Sequence, residues 1–89
     1  MPRYFFHVHD GEEFPDLQGT ELPDLAAVRR EAVRFSAALL ANKPERFWNA
    51  GEWTMRVADE FDLTLFQLTF FATDAPSTPR EARPRTDDR

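Results

Sequence analysis

The feature that most constrains the fold is one long amphipathic segment, residues 24–41. Its apolar side chains recur at steps of three and four, which places one set on the same helix face: Leu25, Val28, Ala32, Phe35 and Leu39. A single amphipathic helix cannot bury that face alone, so the rest of the chain has to supply an apolar surface. With 89 residues in all, helix and surface belong to one small domain.

The segments on both sides of this helix alternate in the manner of β-strands. Residues 3–9 and the short segment 12–14 precede it. Residues 52–60 and 63–73 follow it. The sequence therefore predicts an α+β fold of order ββαββ, an antiparallel four-stranded sheet with one helix packed on one face. Its inner face would carry Tyr4, Phe6, Val8, Trp53, Met55, Val57, Phe66, Leu68 and Phe70.

This arrangement predicts that Phe35 and Leu39 are buried against Trp53 and Phe66. Burial of such large side chains would offset much of the ordering entropy of a short chain.

Turn and cap residues set the expected boundaries. Asp10-Gly11 favours a hairpin with a type I′ turn, which requires positive φ at both residues. Gly19 is expected to carry a positive φ in the turn 16–20. Asp24 is either the helix N-cap or an acid inside the first turn, and Pro44 begins a short additional turn.

Composition excludes several classes of function. The chain has no cysteine, so disulfides, thiolate catalysis and cysteine metal sites are excluded. Its net charge is −5, and residues 1–73 hold 7 basic and 12 acidic residues, which argues against a nucleic-acid partner. No basic start followed by an apolar run opens the chain, and no stretch resembles a membrane span. We expect a cytoplasmic protein with one domain, residues 1–73, and a disordered tail, residues 74–89, rich in proline and charge.

Catalytic motifs do not stand out. His7 and His9 lie on one strand face near Asp10, and neighbouring imidazoles can share a metal ion. Two solvated histidines explain the same pattern, so a metal-binding protein or enzyme is kept as an alternative. The sequence predicts no cofactor and no enzymatic activity, because no nucleophile, phosphate loop or enclosed acid–base pair is present.

The outer sheet face is the more informative feature. Strand alternation places Phe5, Leu65 and Phe71 opposite the helix, where nothing in a ββαββ chain would cover them. Such a patch indicates a protein contact, although scattered exposed apolar residues are also common. We expect a non-enzymatic interaction module that self-associates as a homodimer, with Arg56 and Gln67 nearer the rim of the contact. A different protein partner remains possible for the same face.

The opening of the chain and several shorter motifs carry a family resemblance. They are residues 2–11 (PRYFFHVHDG), Asp16-x-x-Gly19, Leu22-Pro23-Asp24-Leu25, Glu31-Ala32 and Trp53-x-x-x-Val57-x-Asp59-Glu60. Over residues 2–72 the chain resembles a family of short bacterial proteins of unknown function. The resemblance implies a stand-alone small α+β domain and assigns no activity.

A second likeness is shorter. Residues 14–19 (FPDLQG), followed by a helix that carries Glu31-Ala32, are similar to a segment of HicB-type antitoxins. That likeness implies a small α+β domain that binds a small toxin, and it supplies the second functional alternative.

Overall fold

The computed structural model describes residues 1–76 and shows an α+β fold with five strands and two helices. The elements are β1 (Arg3–His9), β2 (Glu13–Phe14), β3 (Thr20–Glu21), α1 (Leu25–Asn42), α2 (Pro44–Ala50), β4 (Glu52–Ala58) and β5 (Thr64–Phe71). The predicted α+β class and antiparallel sheet are confirmed. The prediction of four strands and one helix is wrong, because two-residue β3 shows no alternation and the turn at Pro44 extends into α2. Of the tail predicted to be disordered, residues 77–89 lie outside the described part.

The strands form one antiparallel sheet in the order β2-β1-β4-β5. β3 pairs with Arg3 and Tyr4 of β1, farther along the edge that β2 occupies. β4 is central, and its alternate residues Trp53, Met55 and Val57 are buried, as the sequence predicts. Between residues 1 and 76, neither helix is long and apolar enough to cross a membrane.

The long helix begins and ends close to the expected residues. Asp24 is its N-cap, and the Asp24 carboxylate accepts a hydrogen bond of 2.9 Å from the Ala27 N–H. After Asn42 the chain turns at Lys43, and Pro44 is the first residue of α2.

The buried face of α1 differs from the predicted stripe. Val28, Ala32 and Ser36 are buried, whereas Phe35 is 37% exposed and Leu39 is 46% exposed. The prediction that Phe35 and Leu39 are buried against Trp53 and Phe66 is therefore wrong. Small side chains allow the helix backbone to approach the sheet, and larger ones lie at the margins of the contact.

Ser36 enters the core because its hydroxyl is satisfied inside the helix. Ser36 Oγ donates a hydrogen bond of 2.7 Å to the Ala32 carbonyl and lies 3.6 Å from Met55 Sδ. Phe35 packs beside the core, with its ring edge-to-face against Phe6 at 5.3 Å between centroids.

The first hairpin forms, but its turn is not type I′. Gly11 has φ of 96°, and Asp62 is the one non-glycine residue in the described part with positive φ, so Asp10 does not have it. The connection uses three residues between His9 and Glu13, and the Asp10 N–H donates to the Glu12 carbonyl. The predicted two-residue turn is wrong, because the return strand begins to pair at Glu13 and not at Glu12.

An ion pair joins this hairpin to α2. The Arg46 guanidinium donates two hydrogen bonds of 3.0 Å to the two carboxylate oxygens of Asp10 and lies 5.2 Å from the centre of the Phe14 ring. The hydrogen bonds from Arg46 hold the pKa of Asp10 below its ordinary value of 3.8, although the carboxylate is only 8% exposed.

We expect Met55→Ala to lower the free energy of unfolding by about 2–5 kcal/mol, because it leaves a cavity under α1. Phe35→Ala should cost only about 1–2 kcal/mol, since part of that side chain already contacts water. Urea unfolding of both variants measures the difference. A larger loss for Phe35→Ala than for Met55→Ala would contradict the packing described above.

We also expect the Asp10–Arg46 pair to stabilise the fold only while Asp10 is ionised. Because the folded pKa of Asp10 is lowered, its contribution is fully present above the unfolded pKa and is lost as the pH falls through the folded value. Arg46→Gln should therefore reduce stability more at pH 7 than at pH 2, as measured by urea unfolding. Arg34→Gln, which removes an exposed arginine paired with Glu31, is the matched control. An equal loss at both pH values would show that Arg46 acts through packing instead.

Candidate functional site

The edge of the sheet beside β1 is built from two short strands with a loop between them. β2 faces Val8 and His9, β3 faces Arg3 and Tyr4, and the loop 15–19 covers the gap. No continuous strand runs along this edge of β1, and the two short strands and the loop together cover it. Natural proteins often protect edge strands in this way.

Asp16 takes the place of a missing strand in that gap. Its carboxylate accepts hydrogen bonds of 3.0–3.1 Å from the backbone N–H groups of Phe6, Gln18 and Gly19. One side chain thus satisfies a β1 donor that no strand reaches and fixes the loop that carries it. Within residues 14–19, Asp16 therefore has a structural role.

Gly19 lies so close to β1 that no side chain fits there. A Cβ at Gly19 would lie 2.8 Å from Phe5 Cε2 and 2.8 Å from Arg3 Cγ, and its φ of 76° suits glycine, as predicted. The loop therefore approaches the Phe5 ring on the outer face. The expectation that nothing in the chain covers this face is wrong for Phe5, which is partly buried.

The two histidines have separate partners. His7 Nδ1 accepts a hydrogen bond of 3.0 Å from the Asp16 N–H, and the His7 ring stacks on Phe5 with 6.3 Å between centroids. His9 Nε2 lies 3.7 Å from a Glu13 carboxylate oxygen. Within residues 1–76 no group of three or more His, Cys, Asp or Glu side chains is arranged to hold a metal ion. The hydrogen bond from the Asp16 N–H occupies Nδ1 of His7 and, among residues 1–76, leaves Nε2 as its one free ring nitrogen.

Arg56 and Leu65, two of the predicted contact residues, are engaged within the fold. The Arg56 guanidinium donates to Thr64 Oγ1 at 2.8 Å and to an Asp62 carboxylate oxygen at 2.9 Å. Leu65 is the extra residue at a β-bulge, because Val57 faces Phe66 while Ala58 faces Thr64. Leu65 is half-buried as a result.

Gln67 and Phe71, the other two predicted contact residues, lie exposed on β5. In the described part of the chain β5 pairs only with β4, so its second edge is bare. Which backbone groups face that edge follows from the hydrogen bond at Phe6.

The Phe6 N–H donates toward Asp16, on the interrupted side of β1. In an antiparallel strand, successive residues direct their backbone N–H and C=O groups to opposite sides. His7 therefore directs its groups toward β4, where it faces Arg56. The same alternation extends across the sheet.

The next residue of β4, Met55, directs its backbone groups toward Leu68 of β5. Gln67, Thr69 and Phe71 consequently direct their N–H and C=O groups outward, away from β4. These three residues form the bare hydrogen-bonding edge of the sheet.

β5 also lacks the residues that normally protect an edge. Thr64–Phe71 contains no charged residue, proline or glycine, in a chain that is 30% charged. After the bulge, residues 66–71 (FQLTFF) form a regular, strongly β-forming stretch, of a kind that natural proteins rarely leave unpaired. The candidate functional site is this edge, which we call the β5 edge.

Comparison with known proteins identifies the family. The family model described as a domain of unknown function, DUF6894, matches residues 3–72. The chain belongs to the DUF6894 family. The match runs from the first residue of β1 to one residue beyond β5, so the DUF6894 domain is the unit of five strands and two helices. Neither the curated proteins nor the solved structures gave a significant match.

The sequence did not lead us to predict that the Asp16 carboxylate binds the backbone of β1, although part of its role has a local sequence signal. The spacing Asp16-x-x-Gly19 is typical of a carboxylate that caps the N–H groups two and three residues later, with glycine supplying the positive φ. The further bond to Phe6 depends on tertiary structure and has no local signal.

We expect Asp16→Ala to lower the free energy of unfolding by about 2 kcal/mol, because backbone donors lose a charged acceptor. Gly19→Ala should also destabilise the DUF6894 domain, through the contact with Phe5 and the positive φ. Thermal unfolding checks both, with Gln18→Ala as a control that leaves the Asp16 contacts in place. Melting of Asp16→Ala at the parental temperature would contradict this role.

Proposed function

We propose that this DUF6894 domain is a non-enzymatic interaction module that self-associates by pairing two β5 edges across a two-fold axis. The observation that carries the proposal is the uncharged, regular β5 edge, which pairs with no strand between residues 1 and 76. Pairing satisfies its outward backbone groups and covers neighbouring aromatic side chains.

Geometry restricts the register of such a pair. Facing residues in an antiparallel pair project to the same side of the sheet. The two-fold axis therefore has to lie between two copies of the same residue, so that this residue faces its own copy. An axis at Thr69 places Thr69 opposite its own copy and Gln67 opposite Phe71 of the second copy. All three outward-directed residues then form hydrogen bonds. An axis at Leu68 would pair Gln67 with Thr69 and place Phe71 opposite the bulge residue Leu65.

The side chains are compatible with this register. On the outer face, the exposed Phe71 ring would lie against Gln67 of the second copy. On the inner face, Leu68 would lie opposite Phe70, which is 40% exposed in the single chain. Both contacts remove apolar surface from water.

Self-association is tested first with a single cysteine. The chain has no native cysteine, so Thr69→Cys introduces one thiol, which the proposed axis places opposite its own copy. The Cα atoms of such a hydrogen-bonded pair are about 5.5 Å apart, within the range for a disulfide. We expect rapid formation of a disulfide-linked dimer under mild oxidation, measured on a non-reducing gel.

Thr54→Cys is the matched control for this experiment. Thr54 lies beside Thr69 on the same sheet face, but one strand inward. In the proposed dimer its copy would be three strand spacings away, or about 14 Å, too far for a disulfide. Equal rates of cross-linking at the two positions would show random collision and would contradict the proposed register.

Sedimentation at micromolar concentrations measures the association itself. We expect a dimer for the parent and a monomer for Phe71→Lys, since a charge at the edge opposes pairing. Phe61→Lys makes the same change at a phenylalanine that is 86% exposed in the β4–β5 turn, against 69% for Phe71, and should remain dimeric. A monomeric parent would refute self-association.

A further inference from the structure

A cleft on the helical side of the sheet is separate from the β5 edge. It has a volume of about 460 Å³ and lies between the C-terminal part of α1, α2 and the β1–β2 hairpin. Its volume is within the range of small-molecule sites in proteins. Phe6, Val8 and Trp53, all buried, form its floor.

The walls of this cleft are apolar and partly open to water. Leu40 of α1 and Phe47 of α2 line the sides and are half-buried, while Leu39 and Phe14 are more exposed nearer the mouth. An apolar ligand that entered would remove these walls from water.

The mouth of the cleft carries positive charge in an otherwise acidic protein. Lys43, the only lysine of the chain, lines it at the junction of α1 and α2. Asp10 and Arg46 also line the cleft, but their opposite charges compensate each other through two hydrogen bonds. Lys43 is exposed and forms no ion pair with any residue between 1 and 76.

We propose that this cleft binds a small amphipathic carboxylate, such as a medium-chain fatty acid. The hydrocarbon chain would lie on Phe6, Val8 and Trp53, and the carboxylate would lie at the mouth against the Lys43 ammonium. An apolar cavity with one cation at its mouth fits a ligand that has one anionic end. The site does not depend on self-association, because none of its lining residues belongs to β5.

The fluorescence of Trp53 tests the proposal on the full chain. Trp48→Phe removes the other tryptophan, which does not line the cleft, and leaves Trp53 as the reporter. The probe is octanoate below its micellar concentration, with octan-1-ol as the uncharged comparison. We expect a saturable change in Trp53 emission with octanoate and weaker binding of octan-1-ol. Equal affinities for the acid and the alcohol would overturn recognition of the carboxylate.

Two charge variants in that background locate the carboxylate. Lys43→Gln should weaken octanoate binding about tenfold and leave octan-1-ol binding unchanged, since it removes only the charged contact. Arg30→Gln removes the same charge from an exposed position of α1 that does not line the cleft, and should change neither affinity. Equal effects of the two variants would indicate a general charge effect and would overturn the site. Absence of saturable octanoate binding to the parent would overturn it as well.

Discussion

The close packing of α1 on β4 is the contact on which the rest of the structure depends. Ala32 and Ser36 bring the helix near Met55, and the Ser36 hydroxyl is satisfied by its own helix. Since β4 pairs with both β1 and β5, a helix fixed on β4 fixes the inner face of the whole sheet. The larger residues of α1 then lie at the margins, where Phe35 covers Phe6. One turn farther along α1, Leu39 and Leu40 line the apolar cleft beside α2.

The two edges of the sheet differ in how their backbone groups are covered. Beside β1, two short strands and the Asp16 carboxylate occupy the edge. Beside β5, a regular uncharged strand directs the backbone groups of Gln67, Thr69 and Phe71 outward. Because strand edges promote pairing with other chains, protection of only the β1 edge among residues 1–76 supports the proposal that the β5 edge pairs with a second copy. Because of the β-bulge at Leu65, the proposed pairing would involve only the residues after it.

The sequence predicted those features that local periodicity and cap chemistry determine. Strand β1 and the buried face of β4 belong to this group, and Asp24 has one of the two roles expected for it, the N-cap. On α1, Val28 and Ala32 are buried as predicted, whereas Ser36 is buried in place of Phe35. The periodic pattern favours large apolar residues, while close packing on the sheet favours small ones such as Ser36. The Asp16 contact with Phe6 and strand β3 depend on segments distant in the chain, which a local pattern does not report. For the β5 edge, exposure of Gln67 and Phe71 was expected, whereas the direction of their backbone groups required the strand pairing.

The interrupted edge beside β1 has a consequence for assembly. A sheet with two open edges can add copies without end, as fibres do, because every addition leaves a new edge. In a pair joined through β5, both outer edges would be the β2–β3 side, where the Asp16 loop already occupies the backbone of β1. Growth of such a sheet would stop at two copies. The Asp16 carboxylate would then set the size of the assembly from the end of the molecule farthest from the contact.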